Sequence, residues 1–275
     1  MSRPTALITG ASSGIGAAMA RLLAGAGYDL VAVARRGGRL IELGEELAPL
    51  GARVEGVVAD LSDRADLERV VRRAGDGDID LLVSNAGVSA YGPFADLDPA
   101  LLERAWTLNA DATPVLFRAA LPGMLERGDG GLIAVASNLA FSAGVVPAVG
   151  AHDEDATAPR RSLPERALYV GAKAGMVAFT RVLASELTGT GVRAMVVCPG
   201  LVSSEWNGGA SQGPLAMTPE DVAQATWSGF SRGEIVCLPG LDQPDLLQRF
   251  EESERFIMRE NLGSQVAERY RSPIS

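Results

Sequence analysis

Short, continuously apolar segments alternate with helix-forming stretches along most of this chain, and that alternation leaves few architectures open. TALIT (5–9), LVAVA (30–34), RVEGVVADL (53–61), IDLLVSNAG (79–87), GLIAVAS (131–137), VRAMVVCPG (192–200) and EIVCLPG (234–240) read as strands. Between them the apolar residues fall at helical spacing, as with Ile15, Met19, Leu22 and Leu23 after the first strand. Asp63 is placed to cap a helix over 64–74. Two helices follow at 98–109 and 111–127, one covers 167–188, and Pro219 opens another. A strand that is apolar on both faces must be covered on both faces, the condition of a parallel sheet between two layers of helices. The expected fold is α/β, a single doubly wound domain over residues 1–275 with a seven-stranded parallel sheet. No repeat or Ser/Gly linker divides it. Two segments stand apart from the alternation: an irregular insert at 151–166, and a charged tail at 242–275 that reads as helical to about residue 270.

Composition excludes several classes of function. The 275 residues carry a net charge of −9. Nucleic acid and anionic membrane both require a basic face, so neither is an expected partner. A small anionic ligand held by local arginines remains compatible. Cys198 and Cys237 are the only cysteines, which is no disulfide framework. They are expected as buried thiols in a cytoplasmic protein. His152 is the only histidine, no Cys/His cluster has metal-ligand spacing, and no metal is expected. The N-terminus lacks the cleavage pattern of a signal peptide. The charge-free run 131–151 is interrupted by Ser137, Asn138, Ser142, Gly144 and Pro147. It fits a buried strand entering a loop better than a membrane span.

Three motifs carry chemistry. TGASSGIG (9–16) sets Gly10, Gly14 and Gly16, with Ser12, Ser13 and Ile15, between the first strand and its helix. Glycine allows a tight turn and close approach of backbone to a diphosphate, which the helix N-terminus then meets with N–H groups and partial positive charge. At the end of the second strand, an NAD site holds an acid for the ribose 2′-hydroxyl. This chain has Ala34 followed by Arg35 and Arg36. Guanidinium groups suit a 2′-phosphate, so NADP(H) is expected in preference to NAD(H). The competing reading is that the two arginines merely open a solvated helix face.

The third motif contains the only lysine of the chain, Lys173, four residues after Tyr169. On a helix these share a face. A cation beside a phenol stabilises phenolate and lowers its pKa toward neutrality. An ammonium is a compact charge with three donors, unlike the broad planar fork of arginine. A site that must both hold ribose hydroxyls and bias a phenol calls for lysine.

Taken together, TGASSGIG, DL at 60–61, SNAG at 84–87, Asn109 in WTLNAD, Ser137 after the fifth strand, YVGAK and CPG at 198–200 resemble the short-chain dehydrogenase/reductase family over about residues 4–240. The resemblance implies a Rossmann-type fold and an oxidoreductase that interconverts a small-molecule carbonyl and alcohol with a nicotinamide cofactor. It implies Tyr169 as acid/base, Lys173 on the nicotinamide ribose, Ser137 as hydrogen-bond donor to the substrate oxygen, and Asn109 holding a helix bend and a relay water. Asp60 and Leu61 would flank the adenine. Asn85, Ala86 and Gly87 would floor the cofactor site, and Pro199, Gly200, Val202 and Ser204 would meet the nicotinamide. A homodimer or homotetramer is implied, packed through the helices at 111–127 and 167–188. A tailoring enzyme without net redox chemistry, or a cofactor-binding sensor without turnover, remains an alternative.

Two departures from the family pattern stand out. A slip of one residue in AVASN would put Asn138 where Ser137 is expected, with Ser142 a more distant candidate. The insert 151–166 separates Ser137 from Tyr169 and reads either as a solvated excursion or as a lid or partner contact over the substrate mouth. Segment 201–217, including Trp206, is expected to line the substrate pocket.

Overall fold

A computed structural model of the chain describes residues 3–144, 165–205, 216–243 and 245–271. Most of the insert with His152, and Trp206 with most of segment 201–217, lie outside the described residues. The chain divides into two compact units, Met1–Pro239 and Gly240–Ser275.

The first unit holds the sheet. Its strands are β1 (Thr5–Thr9), β2 (Asp29–Ala34), β3 (Val54–Val58), β4 (Leu81–Ser84), β5 (Gly130–Val135), β6 (Val192–Val197) and β7 (Val236–Cys237). All pair in parallel in the order β3-β2-β1-β4-β5-β6-β7. The seven-stranded parallel sheet expected from the apolar runs is therefore present. Leu7, Ile8, Leu82, Val83, Leu132, Ile133 and Val196 are fully buried at its centre.

Several strands are shorter than their apolar runs. β4 stops at Ser84 because the next two N–H groups leave the ladder: Asn85 and Ala86 both donate to Thr9 Oγ1, each at 2.9 Å. β7 is brief because only Val196 and Val197 stand opposite it.

The helices are α1 (Gly14–Gly25), α2 (Gly37–Leu47), α3 (Arg64–Ala74), α4 (Pro99–Trp106), α5 (Ala112–Arg127), α6 (Ala167–Glu186) and α7 (Pro219–Ser231). Their starts follow local chemistry. Asp63 accepts from Asp66 N–H at 3.0 Å, and Asp98 accepts from the N–H groups of Ala100 and Leu101 ahead of α4. Thr218 and Asp221 form a reciprocal capping box around Pro219. By length and composition α6 is apolar enough to cross a membrane. In this fold it packs against β6 and buries Tyr169, Lys173 and Thr180.

The second unit carries α8 (Asp245–Glu260) and a short 3-10 turn at Glu268–Tyr270. The helix expected to run to about residue 270 ends earlier, where Asn261, Gly263 and Ser264 give poor helix propensity. Within α8 an Asp245–Arg249 ion pair spans one turn at 2.8 Å.

Two features of the fold create a site. The chain runs outward from β1 to β3 on one side and from β4 to β7 on the other, so a crevice opens beyond the carboxyl ends of β1 and β4. The helix expected to break near residue 110 instead continues through a π-helical turn, Thr107–Asp111, between α4 and α5. That wide turn presents Asn109, 1% exposed, to the segment after β4. The Asn109 amide accepts Val88 N–H at 3.1 Å and donates to the Val88 carbonyl at 2.8 Å.

Asn109→Ala removes both bonds and leaves two backbone groups unpaired. We expect it to lower stability by about 1–3 kcal/mol, read from the urea midpoint. A midpoint within experimental scatter of wild type would show that water replaces the amide without cost.

Candidate active site

The glycine turn between β1 and α1 forms one wall. Gly10 and Gly14 take positive φ angles of 70° and 53°, open only to glycine at little cost. A Cβ on Gly16 would strike the Gly10 carbonyl oxygen, so the turn closes only with glycine there. Ser13 is the extended residue preceding α1, and Ile15 packs partly buried on the core. Across the crevice the Asn85 side chain donates to the Thr9 carbonyl at 2.9 Å. Asn85 and Ala86 thus tie the end of β4 to the end of β1, with Gly87 and Val88 continuing the floor. Thr9, whose hydroxyl gathers two backbone N–H groups, was not assigned a role from the sequence, although it opens the glycine motif.

Beyond β2, Arg36 lies on the glycine turn. Its Nε and Nη2 donate to Ser12 Oγ at 3.2 and 3.1 Å, and Nη2 also reaches the Ser12 carbonyl at 3.3 Å. Arg35 points elsewhere, 3.9 Å from Asp60. Asp60 sits between Arg35 and Arg104, and Leu61 is buried beside it. Burial acts to raise the Asp60 pKa, but bonds from Ser62 and the two arginines outweigh it and keep the carboxyl below its ordinary value. Arg104 comes from α4, too far along the chain for local pattern to connect it with β3.

The second wall is built by β5, α6 and the segment after β6. Ser137 follows β5 directly and is 8% exposed; Asn138 is exposed. The Ser137 hydroxyl accepts Leu139 N–H at 3.2 Å and is hydrogen-bonded to the Tyr169 hydroxyl. Asn138 instead sends its backbone N–H to the Pro199 carbonyl at 2.9 Å. Ser142 is occupied by the Leu139 carbonyl and by Arg166. Of the three candidates after β5, Ser137 is the one joined to Tyr169.

Lys173, one helical turn beyond Tyr169, is 2% exposed and donates to the Val135 carbonyl at 2.9 Å. Its Nζ lies 5.8 Å from the Tyr169 ring centroid. Pro199 and Gly200 follow Cys198, Val202 bridges to Met217, and the Ser204 Cβ would stand 3.3 Å from a Cβ on Gly14. The structure thus brings Ser137, Tyr169 and Lys173 together beyond β5 and sets the glycine turn against Ser204, while Arg35 turns away to Asp60. Cys198 and Cys237 are buried, as their surroundings in the sequence implied.

One expectation is corrected. Lysine was expected to draw the tyrosine below its ordinary value, but here Tyr169 is held above it. Burial is the main cause, Tyr91 adds to it, and only the Ser137 bond opposes it. The Tyr91 ring meets Tyr169 edge to face at 5.3 Å between centroids. One N–H of the lysine is engaged by the Val135 carbonyl. Burial thus outweighs the neighbouring ammonium, and Tyr169 holds its proton firmly.

The model of the short chain dehydrogenase family matches residues 4–149 and 156–214. The chain belongs to that family. The match passes over 150–155, which is Gly150 and the first five positions of the insert. The chain is 32% identical over 201 residues to ketoacyl reductase HetN of Nostoc sp., covering 72% of this chain and 63% of that protein's length. Among solved structures, a short-chain dehydrogenase from Sphingobium yanoikuyae in complex with NADPH superposes with a TM-score of 0.85 at 32% identity, over 97% of this chain and 100% of the other. The bulky-bulky ketone specific alcohol dehydrogenase from Comamonas testosteroni also gives a TM-score of 0.85, at 27% identity over 99% and 100% of the two chains.

Burial lowers the Lys173 pKa from 10.5 to about 8. At 1.36 kcal/mol per unit, carrying this ammonium costs roughly 3 kcal/mol at neutral pH. Below pH 8 the lysine is charged in both folded and unfolded chains. Between about pH 8 and 10.5 the unfolded chain keeps a proton that the folded chain has released, so stability rises with pH. We expect wild type to gain stability relative to Lys173→Met across that window in parallel denaturant titrations. A difference between the two that stays flat from pH 7 to 10.5 would contradict the buried charge.

Proposed function

We propose that the protein is an NADP(H)-dependent oxidoreductase that interconverts a carbonyl and an alcohol, with Tyr169 as proton donor and acceptor. The observation that carries this reading is the hydrogen bond between the Ser137 and Tyr169 hydroxyls, with buried Lys173 one turn away, across the crevice from the glycine turn. The cofactor supplies or accepts the hydride when bound. The turn Gly10–Gly16 fits its diphosphate, because its glycines carry no side chains and no side chain caps the N–H groups at the start of α1.

In reduction, Ser137 and Tyr169 both bind the carbonyl oxygen and polarise it. Tyr169 passes its proton to that oxygen as the carbon receives the hydride. The raised pKa keeps the phenol protonated at neutral pH, and the alkoxide-like oxygen that forms is more basic still, so the proton passes to it. Lys173 then stabilises the phenolate left behind, and reprotonation from water restores it. In oxidation the same groups act in reverse. Asn109 fixes the floor through Val88. Arg36, already braced on Ser12, takes the 2′-phosphate with Arg39 beside it, while Arg35, which faces Asp60, adds positive charge nearby.

The names of the ketone- and ketoacyl-reducing relatives support a small-molecule carbonyl or alcohol as substrate. We also propose a cytoplasmic homodimer or homotetramer. Its support is a groove between Trp106, Pro114, Gly171, Gly175 and Phe179, where small residues on α6 leave room for a neighbouring helix.

NADPH oxidation followed at 340 nm on a carbonyl panel, together with cofactor dissociation constants, tests this reading. We expect turnover on at least one ketone. The double change Arg35→Asp with Arg36→Asp should weaken NADPH at least about tenfold more than NADH. Tight binding with no turnover on any carbonyl would move the protein to a non-redox or sensing role, and an unchanged ratio of constants would remove the NADP(H) preference.

A further inference from the structure

Arg36 does not wait for a ligand with its donors free. While Nε and Nη2 hold Ser12, Nη1 donates to Glu205 Oε2 at 2.6 Å. The other carboxylate oxygen of Glu205 lies 3.6 Å from Arg39 Nη2. A single carboxylate thus bridges the residue before α2 and a guanidinium in its first turn. These are the groups that a 2′-phosphate would meet. Glu205 arrives from 169 residues away in sequence, at the end of the segment that carries Val202 and Ser204. Arg36 holds its carboxyl below the usual carboxylate range, so it is ionised at neutral pH.

We propose that Glu205 is a cofactor-specificity residue: it stands in for the 2′-phosphate on Arg36 and Arg39, and NADP(H) must displace it while NAD(H) need not. This rests on the reading that the arginines after β2 take the 2′-phosphate. The exchange favours the ligand. A phosphate monoester carries about −1.5 to −2 charges at pH 7 and three acceptor oxygens, against one charge and two oxygens for the carboxylate. The carboxylate is nevertheless a real competitor, because it is tethered and adds repulsion when the phosphate arrives. Both partners are about half exposed, with side chains 45% and 55% accessible. Exposed pairs of this kind contribute little to stability. Glu205 therefore tunes selectivity without locking the site. A ribose 2′-hydroxyl has no charge to offer the guanidinium, so the Arg36–Glu205 pair persists when NADH binds.

Calorimetric titration with 2′,5′-ADP, 5′-AMP, NADPH and NADH reads this directly, without turnover. Glu205→Gln should tighten 2′,5′-ADP and NADPH by about threefold to tenfold, and leave 5′-AMP and NADH within about twofold. Glu205→Ala, made in parallel, should do the same, which separates loss of charge from any bond the glutamine keeps. Equal tightening or weakening of all four ligands would mean that Glu205 only anchors its segment, and would overturn the proposal. Arg36→Ala distinguishes the two levels of the reading. If it weakens 2′,5′-ADP while Glu205→Gln changes nothing, the specificity role falls and the cofactor assignment stands. If it leaves 2′,5′-ADP unaffected, both fall.

Discussion

The bond from the Lys173 ammonium to the Val135 carbonyl fixes the relation between α6 and the end of β5. Ser137 lies two residues beyond Val135, and Tyr169 one helical turn before Lys173. Anchoring the lysine therefore sets where both hydroxyls meet. An apolar side chain at this position would fill the same space without the desolvation cost of a buried ammonium. That cost makes sense where a charge is needed beside a phenol. The rest of the site follows from the sheet: β1 and β4 part at the crevice, Thr9 and Asn85 tie their ends together, and the π-helical turn brings Asn109 beneath the floor.

Electrostatics divides the crevice into two regions with different logic. Around Tyr169 burial dominates, raising the phenol and lowering the lysine, so neither group is tuned by simple proximity in the cofactor-free chain. Around Arg36 the groups are half exposed and screened, and the pairing with Glu205 is exchangeable. The buried region suits chemistry that needs fixed positions. The exposed region suits recognition, where a weak internal competitor adjusts preference.

Much of this was legible from residue pattern. Apolar runs marked the strands because all but the exposed edge strand β3 are largely buried on both faces. The glycine turn, the Tyr169–Lys173 spacing and the arginines after β2 were local signals. What could not be read locally depends on chain segments that meet only in three dimensions. Glu205 reaches Arg36 across 169 positions, and Tyr91 reaches the face of Tyr169 from the loop after β4. The choice of Ser137 over Asn138 rests on a single step of backbone that turns one side chain inward and the other to solvent. The direction of the Tyr169 shift was missed for a related reason. Spacing shows that a lysine is near, but burial of the phenol, which spacing does not show, decides the direction of the shift. The ends of β4, β7 and α8 were misjudged where a hydroxyl, a short paired register or a glycine ended a pattern that the apolar residues alone would have extended.

Replacement of Tyr169 by phenylalanine tests the central claim most directly, provided NADPH affinity and turnover are measured on the same preparation. Phenylalanine keeps the ring against Tyr91 and removes only the hydroxyl. If Tyr169 is the proton donor, NADPH affinity stays close to wild type while turnover on an active carbonyl substrate falls by about 10²- to 10⁴-fold. Turnover within a few fold of wild type, at unchanged affinity, would contradict proton donation by Tyr169.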